Sequence, residues 1–268
     1  MTGALLIAAL LLLGVAVALG VLSALLAGRR LLAAAHAALA AATLVLLIAV
    51  VLRAVEAGRA PWSNLHETAI AFALALLSAF LLLERRLAVR PLVPVVAAIA
   101  IGLLWLAASQ PDEVRPLVPA LQAPLLLTVH VGSAMLAYAL GALAFAAAAA
   151  EIAQGRAGGS LRFLPTVANA REAAHRAVVV GFPVLTAAIV LGSVWANLAW
   201  RSYWSNDPKE LAAAATWLVY AGYLHAAGRR DRIGRLAPWL LVLGFAGVLF
   251  TYLGAGLVFV GEHSYAGA

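Results

Sequence analysis

The sequence predicts an all-α integral membrane protein with about eight transmembrane helices and both termini on the extracytoplasmic side. Three observations lead there. Hydrophobic residues make up 65% of the chain and charged residues 11%, with a mean hydropathy of +1.02, whereas a soluble domain carries about 25% charge. Apolar runs of about twenty residues recur eight times, each long enough to cross the roughly 30 Å hydrocarbon core as a helix. Lysine and arginine divide 13 to 5 between alternate ends of those runs, and the basic loops of such proteins stay in the cytoplasm. The net charge of +7 is therefore read as topology and not as a nucleic-acid surface.

The first run, residues 3–26, has no basic segment before it and reads as a retained span, stopped by Arg29 and Arg30. Run two, 31–52, carries His36. A polar stretch over 53–67, with Pro61, Trp62, Asn64 and His66, reads as an exposed loop. Run three, 68–83, ends on Glu84, Arg85 and Arg86; run four, 91–108, leads into a loop marked by Pro111, Pro116 and Pro119. Run five, 124–150, holds His130 near its start and Tyr138 further in, and its alanine-rich second half suits close helix packing. The longest polar connection, 151–176, contains Arg156, Arg162, Arg171 and Arg176, with a turn expected at Gly158 and Gly159. Run six, 177–194, includes Pro183, a kink that neighbouring helices must accommodate. Run seven, 211–227, carries Trp217, Tyr220, Tyr223 and His225. Run eight, 236–260, ends in a tail with Glu262, His263 and Tyr265. The whole of 1–268 reads as a single polytopic membrane domain.

Between runs six and seven stands WANLAWRSYWSNDPKE, residues 195–210, expected as an external loop. Trp195, Trp200, Tyr203 and Trp204 are interleaved there with Arg201, Asp207 and Lys209. Aromatic residues collect at membrane interfaces in many proteins, but here they concentrate at one turn, which points to a binding surface. Asp207 and Glu210 suit the start of a helix, where carboxylates are favoured, and Pro208 suits its first turn. Lys209 is left facing either a carboxylate of the chain or one of a ligand.

Histidine depth narrows the ligand. At 1.5 Å per residue His130 lies about 9 Å below the outer end of run five, and His225 about 21 Å from the outer end of run seven. His263 follows run eight at the outer surface. Ionisable groups inside a membrane are functional suspects, and neutral imidazole is a ligand of haem iron, which accepts one on each face. A porphyrin also needs apolar walls and a cation near its propionates; the tryptophans and Arg201 or Lys209 offer both. Chemistry through sulfur is excluded on the protein side, because the chain has no cysteine and 2 methionines. His36 is at a depth similar to His225 and reads as a packing residue or as a second ligand there; His66 and His175 read as solvated.

The stretches PWSNLHET, HVGSAMLAYALGALAF from His130, GFPVLTAAIVLGSVWANLAWRSYWSNDPKE, TWLVYAGYLH ending at His225, and the terminal GEHSYA resemble the CcsA (ResC) family of cytochrome c biogenesis proteins, within the haem-handling proteins that share a tryptophan-rich "WWD" domain. The resemblance covers about residue 60 to the end. It implies that His130 and His263 are axial ligands of haem b held against Trp195, Trp200, Tyr203, Trp204 and Asp207, and that His225 is an intramembrane ligand whose second ligand sits on a partner. It further implies a CcsB (ResB)-like membrane partner in the cell membrane, and delivery of reduced haem to the CxxCH motif of an exported apocytochrome c, as a holocytochrome c synthase component. Asn206 stands where the family often has Trp, and Arg201 where a small residue is common. A HemX-like regulatory or assembly factor, or a haem exporter without synthase activity, is the alternative reading.

Overall fold

The computed structural model describes residues 2–114, 116–117, 121–229, 232–259 and 261. Every regular element among them is helical. The helices are α1 (Thr2–Leu26), α2 (Arg29–Ala57), α3 (Leu65–Glu84), α4 (Val93–Ala108), α5 (Pro124–Arg156), α6 (Val167–Trp200), α7 (Pro208–Ala227), α8 (Arg232–Leu249) and a short α9 (Ala255–Val258). A 3₁₀ turn, Arg90–Leu92, leads into α4, and a π-helical turn, Phe250–Gly254, joins α8 to α9.

Two groups of four helices share one core. In the first, α1 packs along α2 and α4, and α3 lies against α4; in the second, α5 packs along α6 and α8, and α7 lies against α8 and α6. The α3–α5 contact joins them. Alanine makes this close approach possible: Ala139, Ala142, Ala144, Ala147 and Ala148 of α5 are all buried, and small side chains let helix backbones meet.

Among the described residues seven helices are long and apolar enough to cross a membrane, against the eight runs counted in the sequence. Helix α7 is the one left out. It has the length, at 20 residues, but Lys209, Glu210, Thr216 and His225 dilute its apolar character.

Helices α5 and α6 overrun their expected ends. They have 33 and 34 residues, or about 50 Å each at 1.5 Å per residue, so both extend past a 30 Å hydrocarbon layer. The polar connection expected over 151–176 shrinks to residues 157–166. Its former ends are helical because charges there pair with each other: Arg171 Nε and Nη2 both lie 2.8 Å from Glu151 Oε1. Gln154 ties down the shortened loop, donating to the carbonyls of Leu161 and Pro165 and accepting from the Leu161 N–H. At the other end α6 runs unbroken past Pro183 to Trp200. The first six residues of the aromatic stretch are therefore helix, and the loop proper is 201–207.

Candidate functional site

The end of α6 and the start of α7 are shaped by two polar devices. Arg201 adopts a left-handed conformation (φ 62°) as the cap of α6, its N–H donating to the Asn197 carbonyl at 3.1 Å. Asp207 caps α7 and forms a reciprocal box with Glu210: Lys209 N–H donates to Asp207 Oδ1 at 2.8 Å, and Asp207 N–H to Glu210 Oε2 at 3.1 Å. Pro208 fills the first helical position, where no N–H is needed. Both carboxylates thus stand at the start of α7, where the sequence reading expected them. Asn206, also left-handed at φ 60°, accepts from Trp204 Nε1 at 2.9 Å and so pins that indole.

This turn closes one side of a half-open cleft of about 210 Å³. The α5 and α6 side contributes His130, Tyr138, Gly192 and Trp195; the turn contributes Tyr203, Trp204, Lys209 and Glu210. A third side comes from the α2–α3 connection, with Trp62, Ser63, Asn64 and Leu65, continued by Thr68, and the π-helical turn adds Thr251 and Tyr252.

Among the described residues His130 is the one imidazole in this lining, and its orientation is fixed. Nδ1 lies 2.9 Å from the Ala188 carbonyl oxygen. A carbonyl only accepts, so Nδ1 carries the proton and, in the neutral ring, Nε2 carries the lone pair. Metal-binding histidines are commonly held by this kind of bond at the second nitrogen. The ring also lies nearly parallel to Trp195, at 6.0 Å between centroids and 13° between planes, while Trp200 meets Trp195 edge-on at 4.8 Å and 80°. Trp195 is 2% exposed and packs with Leu121 and Leu127, so it backs the imidazole and does not offer an open face. Trp204 and Tyr203 are exposed and supply the accessible aromatic surface.

Gly192 makes this possible. One turn beyond Ala188 on α6, it leaves room for the ring: a Cβ there would stand 2.6 Å from His130 Cε1 and 3.1 Å from Nδ1.

The remaining residues singled out in the sequence fall elsewhere. Trp200 supports Trp195, and Arg201 is exposed outside the cleft lining. His225 sits near the far end of α7, exposed, with no hydrogen-bond or ion-pair partner among the described residues. His263, Glu262 and Tyr265 lie outside the described residues; Gly261, two positions earlier, is packed against Asp207 and Pro208. His36 is engaged by Glu84 at 2.8 Å, which supports its packing role. His66 differs from its solvated reading: it is buried, with Nδ1 donating to the Ala107 carbonyl at 2.8 Å. His175 is half-buried against Tyr223, at 6.2 Å between rings. The α2–α3 wall and Tyr252 were not identified as site residues from the sequence; the polar cluster Ser63 and Asn64 beside Trp62 in so apolar a chain was the signal.

A model of the family described as Cytochrome C assembly protein matches residues 62–263. The chain belongs to this family. Among curated relatives, it is 35% identical to "Cytochrome c biogenesis protein CcsA" of Synechococcus elongatus, with 80% of this chain and 81% of the relative covered. It is 36% identical to the protein of that name in Parasynechococcus marenigrum, with 84% of each covered, and 34% identical to the one in Guillardia theta, with 80% and 79% covered. Among solved structures it is similar to "Cytochrome c Heme Lyase CcmF", with a TM-score of 0.76 at 22% identity. That likeness covers 94% of this chain and 46% of the other, and is one of fold. The family match opens on Trp62 in the α2–α3 wall, and every segment that lines the cleft falls within it.

Proposed function

We propose that the protein acts in cytochrome c maturation as a haem-transporting and haem-attaching subunit, holding haem b as its substrate in the outer cleft and passing it in reduced form to the CxxCH motif of an apocytochrome c. One observation carries the reading: the His130 imidazole, its Nδ1–H committed to the Ala188 carbonyl at 2.9 Å, faces a cleft walled by aromatic residues. His130 is one axial ligand and His263, in the tail that follows Gly261, is the other. Trp204 and Tyr203 take the macrocycle edge. Lys209, which lines the cleft, is the propionate partner in preference to Arg201, which does not.

The attachment is an addition: each cysteine S–H of the apocytochrome adds across one haem vinyl, so atoms balance without net electron transfer. Both thiols come from the substrate, since this chain has no cysteine. The iron's reductant acts before attachment.

The cleft gathers the connections after α2, α4 and α6 at one end of the bundle, and in this reading that end is extracytoplasmic, with α7 as the eighth crossing of the cell membrane and both termini outside. His225 is then an intramembrane ligand on the cytoplasmic half of α7. Its exposure suits a second ligand supplied by a CcsB-like membrane partner; no nucleic acid is involved.

The test is the absorption spectrum of detergent-purified protein, oxidised and dithionite-reduced, alone and co-expressed with a CcsB-like partner. A low-spin bis-histidine spectrum, weakened by the outer haem equivalent in the double variant His130→Ala plus His263→Ala and by the intramembrane one in His225→Ala, is the expected result. Full haem content in both variants refutes the ligand set. Normal covalent c-type cytochromes in a deletion strain refute attachment and favour a HemX-like role.

A further inference from the structure

Beneath the α2–α3 connection lies a buried ionic cluster that the haem reading leaves unused. The Glu67 side chain is 0% exposed, which is costly unless the charge is paired and hydrogen-bonded. Arg53 Nε donates to Glu67 Oε1 at 3.0 Å. Three further donors converge on Oε2: Arg59 Nη1 at 3.2 Å, and the Ser63 N–H and hydroxyl, both at 2.9 Å. They come from different stretches of chain. Arg53 belongs to the last turns of α2, Arg59 follows the left-handed cap at Gly58, and Ser63 lies in the loop. A single carboxylate thus fastens all of them to the first turn of α3. Asn64 reinforces that turn by accepting from the Glu67 N–H at 2.8 Å, and the Thr68 hydroxyl meets the Tyr252 hydroxyl at 3.1 Å.

The segment so fastened is a wall of the cleft: Trp62, Ser63, Asn64, Leu65 and Thr68 all line it, whereas Arg53, Arg59 and Glu67 do not. A buried ion pair adds little net stability over apolar packing of the same volume. What it adds here is direction. Hydrophobic contact is non-directional and would leave the 58–64 connection several ways to lie against the bundle; four donors on one carboxylate allow one.

We infer that Glu67 is a positioning residue of the haem site, acting through Ser63 to set Trp62 and Asn64 at the distance a flat macrocycle requires from the His130 side. This rests on the haem reading of the cleft. Glu67→Gln alone leaves the Arg59 guanidinium without its carboxylate partner and is expected to destabilise the fold. The informative variant is therefore Glu67→Gln with Arg59→Gln, in which Arg53 retains Glu56, 3.7 Å away, and the cluster stays balanced.

Two readouts separate placement from folding. The chain has no cysteine, so a single spin label at Ala60→Cys reports the loop without haem. In the double variant the label should become more mobile, and haem per protein should fall roughly three- to tenfold, the factor that one net hydrogen bond carries. The thermal midpoint of the haem-free protein should stay near that of the wild type. Unchanged label mobility, or a loosened label with wild-type haem content, overturns the role of Glu67 while the haem reading stands. A wild-type protein that binds no haem overturns both.

Discussion

Gly192→Ala is the sharpest probe of the site, because it adds one methyl group to a rigid helix and aims it at one imidazole. The added carbon would lie 2.6 Å from His130 Cε1, 3.1 Å from Nδ1 and 3.4 Å from Nε2. Carbon contacts are favourable only at about 3.5–4.0 Å, so the ring must retreat by about 0.8 Å or more. Ala188 lies one turn back on the same helix, and the retreat stretches the Nδ1 bond from 2.9 Å to about 3.7 Å, beyond hydrogen-bonding range. The lost bond is worth about 1 kcal/mol, and the ring is freed to change tautomer. Loss of such an outer bond costs roughly 10- to 100-fold in metal affinity.

The assay is haem titration of detergent-purified protein, followed by absorption and by electron paramagnetic resonance for spin state. Gly132→Ala is the control: it lies two residues from His130 on α5, and nothing stands within 4 Å of its added carbon. The expected result is weaker binding with a high-spin fraction for Gly192→Ala and unchanged binding for Gly132→Ala; alanine favours helix by about 0.5–1 kcal/mol over glycine, which leaves Gly132→Ala no less stable and offsets most of the lost bond in Gly192→Ala. Wild-type affinity and a pure low-spin spectrum in Gly192→Ala would show that the ring placement described above is not what holds the iron.

Three further outcomes are expected. Trp195→Ala, at a residue 2% exposed, should cost about 3–5 kcal/mol in thermal unfolding, whereas Trp204→Ala, at 41% exposed, should leave the unfolding midpoint nearly unchanged and lower haem occupancy. Lys209→Met should weaken haem binding in a titration, and Arg201→Met should not, because only Lys209 lines the cleft; equal effects would deny a propionate contact. Asp207→Ala breaks the capping box and should lower stability by about 1 kcal/mol, measured by thermal unfolding, with the iron spectrum of the folded fraction intact.

Much of this was legible in the sequence where the cause is local. Apolar run length located the helices, and the Asp207, Pro208 and Glu210 order announced the start of α7. His130 and the tryptophans stood out because they are polar or flat in a chain of alanine, leucine and valine. What escaped notice depends on partners far along the chain. His66 looked solvated beside a loop, but its bond to Ala107 spans 41 residues. Gly192 resembles any glycine in an apolar helix until His130, on another helix, is placed against it. The true ends of α5 and α6 were hidden for a different reason: hydropathy reports contact with lipid, and these ends are held by Glu151, Arg171 and Gln154 instead.

The π-helical turn at Phe250–Gly254 acts as a phase slip in the last helix. A π turn takes an additional residue, and each residue of an α-helix advances the face by about 100°. Faces read from α8 therefore do not continue into α9, and the offset lets Thr251 and Tyr252 look into the cleft while Gly261 comes to rest on Asp207. Deleting one residue within 250–254 would return the segment to ordinary pitch and swing everything after it by about that angle. Gly261 would then lose its seat on Asp207 with the composition unchanged but for that one residue, so this contact is encoded in a count as much as in the identity of its residues.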